Sequence, residues 1–137
     1  MNASMKSPRS KTGSMCRTGS CAVVALPDTD QAFVMRRVLN RLGWRVTDAG
    51  DASEVSRLVL SGARRLAVLA TDLLDESGWL TCAKLKRSAA RLDVYLVGPG
   101  TPRNRRLARF VGAATLLTDP VEIADWLPPI QVTALPR

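Results

Sequence analysis

Five times along this chain a short run of strand-forming residues is followed by a segment with helical spacing. The runs are 21–26 (CAVVAL), 44–47 (WRVT), 66–70 (LAVLA), 93–97 (DVYLV) and 114–118 (ATLLT). The first and third are apolar throughout, as in strands covered on both faces. The second alternates, as an edge strand does. A strand that must return through a helix to a parallel neighbour does so right-handedly. Repeated five times, this predicts an α/β fold: a doubly wound, five-stranded parallel sheet with helices on both faces.

The segments between the runs carry helix signals. Residues 30–42 place Val34, Val38, Leu39 and Leu42 at helical spacing, opposite Arg36, Arg37 and Arg41, and Gly43 stops them. Asp51-Ala52-Ser53-Glu54 is a capping box with Asp in the cap position. It opens a helix with Val55, Leu58 and Val59 inward, ended by Gly62. A helix from Gly78 to about Arg87 is expected to turn Leu80, Ala83 and Trp79 inward, with Lys84, Lys86 and Arg87 out. Thr101-Pro102 sets a cap before proline at the first helical position. The helix it starts carries Arg103, Arg105, Arg106 and Arg109, with Leu107, Phe110 and Val111 as its apolar side. Asp119-Pro120 repeats the device for a short helix reaching Leu127, stopped by Pro128-Pro129.

The chain has 137 residues, enough for one domain, and 46% of them are hydrophobic but only 4% aromatic. The core must therefore come from Leu, Val and Ala. The formal charge of +8 favours acidic partners. Half of it sits on Lys6, Arg9, Lys11 and Arg17, in a first stretch of twenty residues that holds no acid. Little there can be buried, so 1–20 reads as a disordered basic tail, 21–127 as the domain and 128–137 as a second tail. There is no histidine, which excludes histidine acid–base or phosphotransfer chemistry. Three cysteines, Cys16, Cys21 and Cys82, do not make a four-ligand zinc site. They read as reduced, which suits a cytoplasmic protein, and no metal or cofactor is expected. No apolar run has the length of a membrane span.

In such sheets ligands sit at the carboxyl ends of the strands. The stretch 66–79, LAVLATDLLDESGW, joins a buried strand, an acidic loop and a helix start, and its last strand position is Ala70.

From about Cys21 to Leu127 the chain resembles the receiver domain of two-component response regulators, the CheY-like family. The resemblance rests on Leu42-Gly43-Trp44, Ala49-Gly50-Asp51-Ala52 and Asp75-Glu76-Ser77-Gly78-Trp79. It continues from Val111-Gly112-Ala113 to Thr118-Asp119-Pro120. It implies a flavodoxin-like sheet in the order 2-1-3-4-5. It also implies two magnesium-holding acids after strand one and a phosphoacceptor aspartate ending strand three. A Ser or Thr would end strand four, and a lysine would precede the last proline. Matched onto this chain, the acids fall on Leu26 and Pro27, the phosphoacceptor on Ala70, the hydroxyl on Gly98 and the lysine on Asp119.

Each of these is a chemical loss. Ala70 has no nucleophilic atom, Leu26 and Pro27 cannot ligate a hard cation, and Asp119 reverses the charge a lysine would bring. The expectation is a non-enzymatic, stand-alone, receiver-like signalling module that acts by protein contact without aspartyl phosphorylation. Its candidate contact residues are Arg103, Arg105, Arg106 and Arg109, since arginine suits carboxylates. The partner would be a protein with an acidic surface, another regulator or a sensor kinase. In the family, helix four, strand five and helix five also meet a second copy, so a homodimer is an alternative. A second functional reading keeps phosphotransfer, with Asp28 as metal acid and Asp72 as phosphoacceptor. A third is a nucleic-acid accessory, which rests on charge alone and lacks a recognition helix or stacking aromatics.

Overall fold

The apolar runs form the strands of one parallel sheet. The computed structural model describes residues 20–62 and 64–129; most of the two expected tails lies outside the described residues. The strands are β1 (Cys21–Ala25), β2 (Arg45–Asp48), β3 (Arg64–Ala70), β4 (Asp93–Val97) and β5 (Thr115–Leu117). They alternate with α1 (Thr29–Arg41), α2 (Ala52–Ser61), α3 (Gly78–Ser88) and α4 (Pro102–Phe110), and a 3-10 helix (Pro120–Asp125) follows β5. The sheet order is β2-β1-β3-β4-β5 and every pairing is parallel. This is the flavodoxin-like order 2-1-3-4-5 expected from the sequence.

Both faces of the sheet are covered, and β1 is buried along all five residues. Val23, Leu69 and Leu96 pack against Val55 and Val59 of α2, Cys82 and Leu85 of α3 and Ala108 of α4. Val24 and Val68 pack on the other side with Met35 and Leu39 of α1 and Ile123 of the 3-10 helix. Burying each Leu, Ile or Val side chain contributes about 1.5–3 kcal/mol, so the two layers hold the sheet from both faces. The helix starts are fixed locally. Asp28, Asp51, Ser77 and Thr101 each accept a hydrogen bond from the amide three residues on.

Four sequence expectations are corrected. Leu80 is not inward but 50% exposed. The buried residues of α3 are Gly78, Thr81, Cys82 and Leu85, at helical spacing from a glycine set hard against β3. A Cβ on Gly78 would lie 2.0 Å from the Ala70 carbonyl oxygen, so this contact sets the phase of the helix. Phe110 is 85% exposed, because Ala108 takes the position facing the sheet. The last helix is a single short 3-10 segment ending at Asp125. Cys21 is disulfide-bonded, whereas Cys82 is free and buried. Among the described residues, no helix is long and apolar enough to cross a membrane.

Candidate functional site

Strand register brings the expected site positions to one end of the sheet. Ala25 is level with Leu69, Ala70 with Val97, and Val97 with Leu117. Leu26, Ala70, Gly98 and Asp119 thus follow or close the strands at the same edge, where Thr71 N donates to Val97 O at 3.0 Å and Gly98 N to Leu117 O at 3.0 Å.

The side chains there offer little chemistry. Leu26 is buried and belongs to the α1-side core, and Ala70 packs against the same core. Pro27 is exposed and brings no ligating atom. Gly98 has no side chain, and the room in front of it is taken by Thr71. A Cβ on Gly98 would lie 2.5 Å from Thr71 Oγ1 and 2.7 Å from its Cγ2. Thr71 is one of two buried polar residues, at 6% exposure. Asp119 caps the 3-10 helix by accepting from Val121 N at 3.0 Å.

The other acids are committed elsewhere or lie apart. Asp28 caps α1 by accepting from Gln31 N at 3.0 Å. Asp72 is exposed in the loop, and its backbone forms an isolated antiparallel bridge with Ser77. A receiver fold implies a magnesium ion near this edge, and the residues present do not fit one. Among the described residues, no group of three His, Cys, Asp or Glu side chains is placed to hold a metal ion.

Two acids in the β3–α3 loop do defined work that the sequence did not reveal. Asp75 reaches back to the start of α2, accepting from Ala52 N at 2.8 Å, Ser53 N at 3.2 Å and Ser53 Oγ at 3.0 Å. These bonds, the Ala52 amide first, hold its carboxyl below the usual range. Glu76 accepts from Lys84 Nζ at 2.7 Å and Thr81 Oγ1 at 2.6 Å, and the Lys84 bond leads in lowering its pKa. The loop is thereby tied to both α2 and α3. Asp75 caps a helix more than twenty positions before it, a partnership no local pattern signals.

Away from this edge, Arg103, Arg105, Arg106 and Arg109 are all exposed on α4. None of them enters an ion pair among the described residues. A cleft of about 260 Å³ lies between α4 and Trp126, with Arg105 and Arg109 among its lining residues.

Solved structures share this architecture. A CheY-like response regulator receiver domain from Methanospirillum hungatei JF-1 matches at TM-score 0.69 and 18% identity, over 78% of this chain and 89% of that one. The fold is that of a receiver domain. A receiver-fold match also joins this chain to a two-component response regulator from Clostridium difficile, with TM-score 0.65 and 18% identity over 72% of this chain and 81% of the other. A response regulator from Burkholderia pseudomallei, solved with a phosphorylated aspartic acid, calcium ion and citrate, gives TM-score 0.70 and 21% identity over 84% and 68%. No protein-family model and no curated protein matches the sequence.

Proposed function

We propose that this chain is a signalling module with a receiver fold that works by protein contact and has no aspartyl phosphorylation switch. The observation that carries the reading is the end of β3. Ala70 stands there, and the Thr71 side chain fills the adjoining space before Gly98. Phosphoryl transfer to a carboxylate needs the carboxylate, a cation to offset the charge on the phosphoryl oxygens, and donors that follow them. Leu26 and Pro27 give no metal ligands, and Asp119 brings a negative charge where a positive one is needed.

The tether of the β3–α3 loop through Asp75 and Glu76 supports the same reading, since it holds the loop in one arrangement without any modification. Function then falls to the surface, and the unpaired arginines of α4 are the strongest recognition feature there. They suit a partner with an acidic face, such as another regulator or a sensor kinase. A second copy of the chain suits them less, because a symmetric contact would set arginine against arginine. Incubation with acetyl phosphate and magnesium, read by intact mass, tests the proposal. The expected result is no added phosphoryl group; stoichiometric addition contradicts it.

A further inference from the structure

The cleft beside α4 has a shape and charge that select its occupant. One wall carries Arg105 and Arg109, one turn apart on α4; Trp126, 52% exposed, also lines it, with Ala108, Thr115 and Leu116. Thr115 and Leu116 belong to β5, which is the edge of the sheet and pairs only with β4 among the described residues. The cleft therefore combines an apolar lining, an unpaired strand edge and two cationic forks.

We propose that this cleft binds an extended, acidic segment of a partner protein, with one apolar side chain lying against Trp126 and carboxylates paired to Arg105 and Arg109. The inference rests on the reading that the module works by protein contact, and it adds the chemistry of the partner. A volume of 260 Å³ is below the roughly 300–1,000 Å³ of clefts that take drug-sized molecules. It has room for a side chain or two and not for a helix, whose diameter is about 10–12 Å. An extended segment fits the space and can add backbone pairing along an open strand edge. That edge is only the three residues Thr115–Leu117, so specificity must come from the side chains.

The charge argument fixes the sign. The Arg105 Nε donates to Gly100 O at 3.3 Å, which steadies the arm without neutralising it. Glu122, the acid whose carboxyl Arg105 helps to lower, is itself held by Thr118 N at 3.0 Å and Thr118 Oγ1 at 3.1 Å. Arg109 has no carboxylate partner among the described residues. Guanidinium forks of this kind pair carboxylates bidentately. Trp and Arg are also the residue types that most often carry binding energy at interfaces.

The test titrates a capped peptide, one leucine between two pairs of glutamates, into the isotope-labelled full chain at low salt. The expected result is saturable shifts at Thr115, Leu116 and the Trp126 indole. Arg105→Ala and Arg109→Ala should each weaken binding about tenfold, and added salt should weaken it further. The double charge reversal Arg105→Glu with Arg109→Glu should lose the acidic peptide and take a lysine counterpart, which guards against mere unfolding. No shifts in this region, or shifts that ignore these substitutions, overturn the proposal. So does tighter binding of oligothymidine through the same residues, which would make the ligand a nucleic acid. Repeating the titration with beryllofluoride and magnesium separates the two readings. Unchanged affinity supports both, whereas a changed one overturns phosphorylation independence and leaves the cleft standing.

Discussion

Thr71 and Gly98 face each other across adjacent strand ends, and the side chain of the first occupies the room that a side chain on the second would need. The contact distances of 2.5 and 2.7 Å from an ideal Cβ are too short for any Cβ to accept. Thr71 is β-branched and buried, so it cannot swing aside freely. Gly98→Ala should therefore destabilise the fold by about 1–3 kcal/mol, the usual cost of overpacking a filled site. In a Thr71→Ala background most of that cost should disappear. Denaturant unfolding of the four proteins in a double-mutant cycle measures the coupling, and additive effects would contradict the contact.

Restoring the missing carboxylate alone should not restore chemistry. Ala70→Asp places an acid at the end of β3, yet Leu26, Pro27 and Asp119 still offer neither a cation site nor a positive charge. The variant should gain no phosphoryl group from acetyl phosphate with magnesium, as read by intact mass. Asp28→Ala and Asp72→Ala should likewise leave that result unchanged, since Asp28 serves the α1 cap and Asp72 lies exposed in the loop.

The bonds from Ala52 and Ser53 to Asp75 make the start of α2 sensitive to acid. The Asp75 carboxyl is lowered in the folded state. Its contribution is thus complete above the unfolded value of about 3.9 and is lost as pH falls through the lower folded value. Asp75→Asn should flatten the acid limb of the stability curve and speed amide exchange at Ala52 and Ser53 near neutral pH. Exchange rates equal to those of the unaltered chain would show that the tether carries no weight.

Cys82 should be inert until the fold opens. Burial pushes its thiol up to about 11, so roughly one molecule in a thousand holds a thiolate at pH 8, against about one in four for an ordinary thiol. Alkylation at Cys82, followed by peptide mass mapping, should proceed at least a hundredfold more slowly than in denaturant. Comparable rates in the two conditions would contradict its placement under α3.

The sheet was legible because β1, β3 and β4 are written as continuous apolar runs with cap residues between them, and such runs have few alternatives once the strand–helix rhythm repeats. The helix phases were less legible. Leu80 looks like a core residue by hydropathy, but the approach of Gly78 to the Ala70 carbonyl turns it outward. Phe110 belongs to an apolar stripe by spacing, yet Ala108 is the residue with room against the sheet. At the site, the positions of Leu26, Ala70, Gly98 and Asp119 could be counted from the glycines and prolines around them. The Thr71 plug and the Asp75 tether could not, because each depends on two segments meeting in space. The disulfide at Cys21 escaped for a different reason: cysteine counts do not report oxidation state.

Amide spectra of the labelled chain with beryllofluoride and magnesium test the central claim most directly, because this mimic needs the same carboxylate, cation and positive charge as a phosphoryl group. The account predicts that the signals of Ala70, Thr71 and Gly98 stay where they are at every concentration. Saturable, magnesium-dependent shifts of those three signals would contradict it.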